Sequence, residues 1–286
     1  SEPELIASAS LDYDIIDGLN FMVKVATDSK HQNQEECKPY AWVGNDNGCY
    51  SVSSDRNVDV NIDAMLSYKK KFGWFDVDAM VGASVYDSMR NYQKASTDGG
   101  LLQPDLYNVT NSTNSPKVTT TIQRRRMEGV FGTATFGALN AIFLTFTGRN
   151  DWSSTLNQDN NSFFYPSVSL SGVMTSLINL PKAISFWKIR GSWAKVGFDQ
   201  SSVYLLENSY SFNKYWGNNA SMTPPTLVID KGIKPYFTNS LEIGTDIRFF
   251  DNRLRLAFSY YRTKDEGQIQ QVDINQSSGY SKLLTI

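Results

Sequence analysis

The sequence has no run of about 18 consecutive apolar residues, the length that a membrane-spanning helix requires, so it is not a helical membrane protein. It also has little charge of one sign. Twenty-seven lysines and arginines stand against 29 aspartates and glutamates, which leaves a formal net charge of −2. Nucleic-acid binding needs a clustered basic surface, so nucleic acid is not expected as a partner.

Residues for metal or redox chemistry are scarce. The chain has one histidine, His31, and two cysteines, Cys37 and Cys49. Both cysteines lie in a polar segment rich in Asn, Gln, Gly and Asp, which favours a disulfide in an oxidising compartment such as the periplasm or cell surface. Two free thiols are the second interpretation and a metal site is the third. We predict the disulfide, and no cofactor.

What the sequence does contain is alternation of apolar and polar residues with a period of two, which is typical of β-strands with two different faces. In residues 75–85 the odd positions are Phe, Val, Ala, Val, Ala and Val, whereas the even positions include Asp76, Asp78 and Ser84. Aromatic residues make up 13% of the chain. Several of them, such as Tyr68, Phe75 and Phe249, are predicted on the apolar face near a short turn, as in a periplasmic aromatic girdle.

This alternation predicts about ten complete strands and the start of another. Their spans are residues 4–16, 19–29, 56–70, 73–87, 118–136, 139–150, 163–176, 184–197, 236–250 and 252–268, with an eleventh strand beginning near residue 281.

The connections between these strands alternate between short and long. Short turns are predicted at 17–18, 72–73, 136–138, 177–181 and 250–252, and long polar loops at 30–55, 88–117, 149–162 and 198–235. Outer-membrane barrels have this arrangement, with short periplasmic turns and long external loops. Most of the strands also reach the roughly 9–11 residues that a tilted membrane strand needs. The predicted fold is therefore all-β, a transmembrane antiparallel β-barrel.

Several ordered blocks resemble the SusC/RagA-like TonB-dependent transporters of Bacteroidetes. The blocks are LTFTGRNDWSSTL at 144–156, FFYPSVSLS at 163–171, ISFWKIRGSWAKVG at 184–197, SLEIGTD at 240–246, and the run from Asn252 to Thr263. They cover the second half of the chain well. The first half fits the barrel pattern but has fewer distinctive segments.

The resemblance implies a barrel of 22 strands, of which this chain supplies 10–11. Residues 1–286 would then be a partial outer-membrane barrel domain, with the plug domain and the remaining strands outside this chain. It further implies active import of a glycan or peptide, energised through TonB, with a SusD-like surface lipoprotein as a lid. Outer-membrane lipid and lipopolysaccharide would surround the barrel.

The charged side of the predicted strands is expected to face the lumen. These residues are Asp59, Asp63, Asp76, Asp78, Arg149, Arg190, Glu242, Asp246 and Arg248. They form a solvated wall that contacts a plug, or a path for a polar substrate. No residue is predicted to be catalytic, because no nucleophile with a positioned base is evident. The protein is therefore not expected to be an enzyme.

Aromatic residues in the predicted loops are candidates for contacts with substrate or lid. They are Tyr40, Trp42, Trp152, Tyr215 and Trp216. Packing of the loops on themselves is the alternative.

An arginine triplet lies near the external end of one predicted strand. By alternation we expect Arg125 to point outward and Arg124 and Arg126 to point inward. Arg125 would then contact lipopolysaccharide phosphates, because guanidinium groups bind phosphate well. A solvated charge at the rim is the alternative.

Two other functions remain open at this point. A passive, porin-like barrel would have the same strands and no plug. A secreted soluble β-protein that binds carbohydrate would have a core beneath its apolar faces.

Overall fold

The computed structural model describes residues 2–41, 47–199, 202–216 and 219–286, and the side chains of residues 213–216 and 220 are outside the described part. Within these residues there are fifteen strands, one short α-helix, α1 (Met174–Leu177), and two 3-10 turns (Gln158–Asn160 and Gln276–Ser278). The strands are β1 (Glu4–Ile16), β2 (Leu19–Lys38), β3 (Cys49–Phe72), β4 (Phe75–Leu101), β5 (Ser112–Ala138), β6 (Ile142–Ser153), β7 (Ser162–Val173), β8 (Ile184–Phe198), β9 (Ser211–Trp216), β10 (Asn219–Thr223), β11 (Leu227–Ile229), β12 (Tyr236–Phe249), β13 (Leu254–Glu266), β14 (Gln270–Asp273) and β15 (Lys282–Thr285). No helix of this described part is long and apolar enough to cross a membrane.

Ten strands form one large antiparallel sheet in the order β1-β2-β3-β4-β5-β6-β7-β8-β12-β13. Each strand therefore pairs with the strand of this sheet that precedes it in the sequence. The predicted series of hairpins is confirmed. The connection between β8 and β12 contains the small sheet of β9 and β10, and also β11.

The chain divides into two compact units. The first unit comprises Ser1–Leu11, Lys24–Ile62 and Val85–Arg126, and the second comprises Asp12–Val23, Asp63–Ser84 and Met127–Ile286. We describe the contacts of each unit separately.

Strands β2 to β5 are longer than the sequence predicts. They have 20, 24, 27 and 27 residues, and they extend into the segments 30–55 and 88–117 that were assigned to loops. Polar side chains pair across these extensions: His31 Nε2 lies 2.9 Å from Ser54 Oγ, and Gln32 donates to Glu2 at 2.6 Å. A strand that is polar on both faces keeps its backbone ladder but loses the alternation that reveals it.

The turn between β5 and β6 is short, as predicted, but lies three residues further along the chain. The prediction used Gly137, which instead pairs with Phe143 within the ladder. Leu139 and Asn140 make the turn, with φ of 55° and 54°. Positive φ at two successive central residues is typical of tight hairpins, and Asn is one of the residues that tolerate it.

The predicted eleventh strand exists but is not part of the large sheet. β15 pairs in parallel with β11, from the pair Leu227–Lys282 to the pair Ile229–Leu284. It also pairs antiparallel with β14. A short apolar segment such as KLLT gives no information about its pairing partner, and this is why the sequence placed it in the wrong sheet.

Candidate functional site

The register of the second unit determines which side chains share a face of the large sheet. Opposite residues of paired strands lie on the same face, and successive residues alternate between faces. The pairs Phe131–Arg149, Arg149–Tyr165 and Ser171–Arg190 link β5 to β8, and the pairs Lys188–Asp246 and Asp246–Ala257 continue to β13. One face, called the polar face here, therefore carries Thr133, Thr135, Thr145, Thr147, Arg149, Asp151, Tyr165, Ser167, Ser169, Ser171, Lys188, Arg190, Glu242, Asp246, Arg248 and Arg255.

The opposite face, called the apolar face here, is hydrophobic over a defined length. It carries Val130, Ala134, Phe136, Leu144, Phe146, Phe164, Val168, Leu170, Trp187, Ile189, Trp193, Leu241, Ile243, Ile247, Leu254, Leu256, Phe258 and Tyr260. On β5, β7 and β12 its apolar runs cover residues 130–138, 164–172 and 241–249. Each run has nine residues, within the roughly 9–11 that cross a membrane at a tilt.

Large side chains of the apolar face are exposed. Leu170 keeps 53% of its surface accessible and Ile243 keeps 55%. A water-soluble sheet protein would bury such a face in a core. In the second unit, Met174 and Leu177 of the short α1 line a groove with Leu170 and Ile243. Both of these side chains nevertheless remain about half exposed, as expected for a surface that contacts lipid.

Aromatic rings of the apolar face gather near the short turns. Phe75 stacks on Phe136 with centroids 6.1 Å apart, and Trp74 and Phe146 flank this pair. Trp187 donates its indole N–H to Thr245 Oγ1 at 2.9 Å. Such rings are typical of membrane interfaces, where an apolar ring and a polar tip are both accommodated.

On the polar face, Arg190 and Glu242 form an ion pair that spans three strands. The Arg190 guanidinium lies 3.2 Å from Glu242 Oε1 and donates to Ser259 Oγ at 2.7 Å. It reaches β13 by lying across Gly244, where a Cβ atom would come within 2.9 Å of it. The glycine thus opens the groove that the arginine occupies.

Asp246 is the centre of a second cluster on this face. Arg255 donates to Asp246 Oδ2 at 2.5 Å, and Arg248 Nε lies 3.8 Å from Asp246 Oδ1. Arg248 also lies over the ring of Phe186, with 4.8 Å between the guanidinium carbon and the centroid. Sequence reasoning selected Asp246 and Arg248 but missed Arg255, because only the β12–β13 register brings it close.

The four remaining aspartates expected on the charged side are distributed over both units. In the second unit Asp78 pairs with Lys69 at 3.4 Å, and Asp76 packs against Gly137. Asp63 lies on the same side of β3 as Lys69, because the two positions are separated by an even number of residues. In the first unit Asp59 accepts a hydrogen bond from Asn57 at 3.4 Å.

A third polar cluster, with a buried carboxylate, lies at the loop end of β6 and β7. Arg149 Nε donates to both Asp151 carboxylate oxygens, at 2.8 and 3.0 Å, and the Tyr165 hydroxyl also donates to this carboxylate. Asp151 is only 3% exposed. A second Arg149 nitrogen donates to Ser84 Oγ at 3.0 Å. Asp151 and Tyr165 were missed by the sequence reasoning, although Asp151 follows Arg149 at the same-face spacing of two.

Gly129 supplies the space for this cluster. A Cβ atom at Gly129 would overlap the Asp151 carboxylate and lie 2.6 Å from an Arg149 nitrogen. We predict that Gly129→Ala lowers the free energy of unfolding by about 1–3 kcal/mol through overpacking. Gly132→Ala is the matched control on the same strand, because its Cβ would meet only Met80 O at 3.4 Å. Urea unfolding of both refolded full-length variants measures the difference, and equal loss in the two would contradict this prediction.

The candidate aromatic contacts differ in their positions. Tyr40 donates its hydroxyl to Leu101 O at 2.5 Å, which ties one loop segment to another. Trp152 lies on the apolar face, opposite Ser162 and Glu128, which favours lipid over substrate as its neighbour. Phe146 and Trp152 are both at even-numbered positions of β6, so they share this face. Trp42 lies outside the described residues, and so do the side chains of Tyr215 and Trp216.

The structure holds Cys37 and Cys49 as free thiols, so the predicted disulfide is not present in it. Cys37 is exposed, and its thiol lies 4.0 Å from Glu35 Oε1. Tyr50 also donates to that Glu35 oxygen, at 2.7 Å. The ends of β2 and β3 are thus held together by polar side chains around the two thiols.

Cys37 gives a test of sidedness. Desolvation, the Glu35 carboxylate and Cys49 raise the pKa of the Cys37 thiol. Since maleimides react with the thiolate, labelling of intact cells by a membrane-impermeant maleimide is expected without reductant and is expected to accelerate as pH rises. A Cys37→Ser variant is the control. Labelling that appears only after reduction would support the predicted disulfide. Labelling that appears only after cell lysis would contradict an external location.

The orientation predicted for the arginine triplet is wrong. In the first unit Arg124 pairs with Asp87 at 2.7 Å, and Asp87 lines one groove with Arg56, Val58 and Val60. Arg124 therefore shares the side of the apolar valines, and Arg125 lies on the opposite side. Apolar residues occur at both odd and even positions of β5, such as Phe131 and Val130, so its alternation misled the prediction.

Comparisons with known proteins agree with this geometry. A family model described as TonB dependent receptor-like, beta-barrel, matches residues 4–282. The chain is 25% identical over 284 residues to a TonB-dependent receptor of Formosa agariphila, covering 94% of this chain and 28% of that protein. It is 22% identical over 266 residues to the TonB-dependent receptor SusC of Bacteroides thetaiotaomicron, covering 86% and 25%.

Among solved structures the chain is similar to the RagAB peptide transporter, with a TM-score of 0.85 and 16% identity. This match covers 99% of the chain and 33% of the transporter chain. The resemblance to SusC/RagA-like proteins and the barrel fold are thereby confirmed. The chain spans about a quarter of the length of the curated relatives and a third of the transporter chain.

Proposed function

Because the chain belongs to the TonB-dependent receptor-like β-barrel family of the bacterial outer membrane, we propose that it forms part of the wall of an active nutrient importer. The polar face lines the aqueous interior, and the apolar face contacts lipid. The observation that carries this proposal is the separation of the two faces over β5 to β13. This wall lets a substrate pass and does not catalyse a reaction.

The chemistry of the polar face suits a large polar nutrient, either a glycan or a peptide. Charges at Arg190, Glu242 and Asp246 are matched by neighbours of opposite sign, so they do not present an isolated charge that would retain a substrate. Hydroxyl pairs lie elsewhere on the polar face, such as Thr133 with Thr147 at 3.2 Å. Such groups exchange hydrogen bonds with sugars, peptides and water alike.

The partners of the proposed importer are TonB and a SusD-like surface lipoprotein. The relative named SusC and the peptide transporter RagAB support this assembly. Within the chain, Tyr40, Trp42, Tyr215 and Trp216 are the aromatic residues proposed to contact substrate or lid.

Uptake by cells that carry the full-length protein tests the active mechanism. Import of fluorescent oligosaccharides and oligopeptides is measured with and without an uncoupler of the inner-membrane proton gradient, and with and without TonB. Active import predicts loss of uptake in both treatments. Uptake that persists would favour a passive, porin-like barrel.

The contact with the lid is tested by matched tryptophan variants. Trp216→Ala is expected to reduce the amount of SusD-like lipoprotein that co-purifies with the full-length protein. Trp152→Ala is the control, because Trp152 lies on the apolar face. Equal retention of the lipoprotein by both variants would remove Trp216 from the interface.

A further inference from the structure

Three arginines and one aspartate lie on the same side of the sheet in the first unit. We call Arg56, Asp87, Arg124 and Arg126 the arginine cluster. The Arg124 guanidinium donates to both Asp87 oxygens, at 3.1 and 2.7 Å. Arg126 follows at the same-face spacing and acts electrostatically on the Asp87 carboxylate. Arg56 is exposed and lines the same groove as Asp87.

The cluster lies on the side of the sheet that carries apolar residues. Val58 and Val60 lie on the same side of β3 as Arg56, and they line the groove with Asp87 and Met89. The opposite side of the same strands is marked by the ion pair of Asp55 with Arg90 at 2.6 Å. The arginine cluster is therefore separate from the charged positions proposed to face the lumen.

Its position along the strands coincides with the end of the apolar run. On β3 the outward residues change from Val58 to Arg56, and on β4 they change from Val85 to Asp87. The apolar run of β4 covers residues 75–85, or 11 residues, which matches the roughly 9–11 that a tilted strand needs to cross the hydrocarbon core. We therefore expect the next outward residues to lie near the lipid headgroups.

The charge and geometry of the cluster suit phosphate. It contains three guanidinium groups and one carboxylate, and it remains positive even when Glu128, two positions beyond Arg126 on β5, is included. Guanidinium groups bind phosphate oxygens in a bidentate manner. Asp87 binds Arg124 and thereby orients it. The single negative charge of Asp87 does not cancel the three positive charges of the arginines.

We propose that the arginine cluster binds the phosphorylated headgroup of an outer-leaflet glycolipid. Arg56 and Arg126 contact the phosphate, and Asp87 holds Arg124 in position beside it. The acyl chains of the same lipid then contact Val58 and Val60, which line the same groove. This site requires only that the apolar side meets lipid, and it is independent of whether the protein imports a nutrient.

Native mass spectrometry of the purified full-length protein tests this site. The probes are synthetic bisphosphorylated lipid A and its dephosphorylated form. The double variant Arg56→Gln/Arg126→Gln leaves the Arg124–Asp87 pair intact, and Arg125→Gln is the matched control on the other side of β5. We expect the affinity for phosphorylated lipid A to fall about fivefold for each arginine removed, with no change in Arg125→Gln. Heat-modifiable migration on gels confirms that each variant is folded.

Four outcomes would overturn the proposal. The double variant could bind phosphorylated lipid A as tightly as the unchanged protein. Arg125→Gln could lose as much affinity as the double variant. The dephosphorylated lipid could bind equally well, which would assign the contact to sugar or acyl chain. Competition by inorganic phosphate at millimolar concentration would point to a site for free phosphate instead of a lipid site.

Discussion

Val168→Arg is expected to remove most of the folded full-length protein from the outer membrane. Val168 lies at the centre of the nine-residue apolar run of β7, between Phe146 and Trp193 of the neighbouring strands. An arginine at the midplane of a barrel's lipid face costs about 2–4 kcal/mol. The measurement is the free energy of unfolding in liposomes, together with the amount of heat-modifiable protein in outer membranes.

Ser169→Arg is the matched control, one residue further along the same strand. Ser169 lies on the polar face between Thr145 and Ser192, both of which have small side chains. An arginine there extends into water and is expected to be tolerated within about 0.5 kcal/mol. A protein in which Ser169→Arg is the more damaging of the two would have its faces reversed.

Asp151→Ala is expected to have the second large effect. The substitution removes the acceptor that holds Arg149 and Tyr165 and leaves a partly buried guanidinium without its carboxylate. Loss of one partner of a buried pair costs on the order of 3 kcal/mol. Asp151 is also two residues from Ser153, whose hydroxyl donates to Asp199 at 2.6 Å, so the adjoining loop is expected to lose order.

Urea unfolding and limited proteolysis measure these two consequences. Asp159→Ala is the control, since Asp159 is exposed on the 3-10 turn Gln158–Asn160 of the same loop. We expect faster cleavage within residues 154–161 in Asp151→Ala and little change in Asp159→Ala. Unchanged stability and cleavage in Asp151→Ala would show that the cluster does not stabilise this end of the sheet.

The strands that cross the membrane could be predicted from sequence because two solvents act on their two faces. β12 and β13 alternate clearly, and their predicted spans differ from the structure by only a few residues. The extensions of β3 and β4 beyond this region were missed because water contacts both of their faces there. The hydrogen-bonded ladder continues without leaving a pattern in the sequence.

Contacts across strands could not be predicted because they depend on register. Tyr165 meets Asp151 only through the pairing of β6 with β7, which joins Arg149 to Tyr165. The orientation of Arg125 failed for a related reason, since β5 carries apolar residues on both faces. The face of β5 is settled instead by its partners, such as Asp87 for Arg124.

Fluorescence quenching of two adjacent sites tests the central claim most directly. In a full-length protein with Cys37→Ser and Cys49→Ser, a fluorophore is attached through Leu170→Cys or Ser171→Cys, and the protein is refolded into bilayers. Brominated acyl chains are expected to quench the label at position 170, and aqueous iodide the label at position 171. Iodide quenching at position 170 with no effect of brominated lipid would contradict the assignment of this face to the membrane.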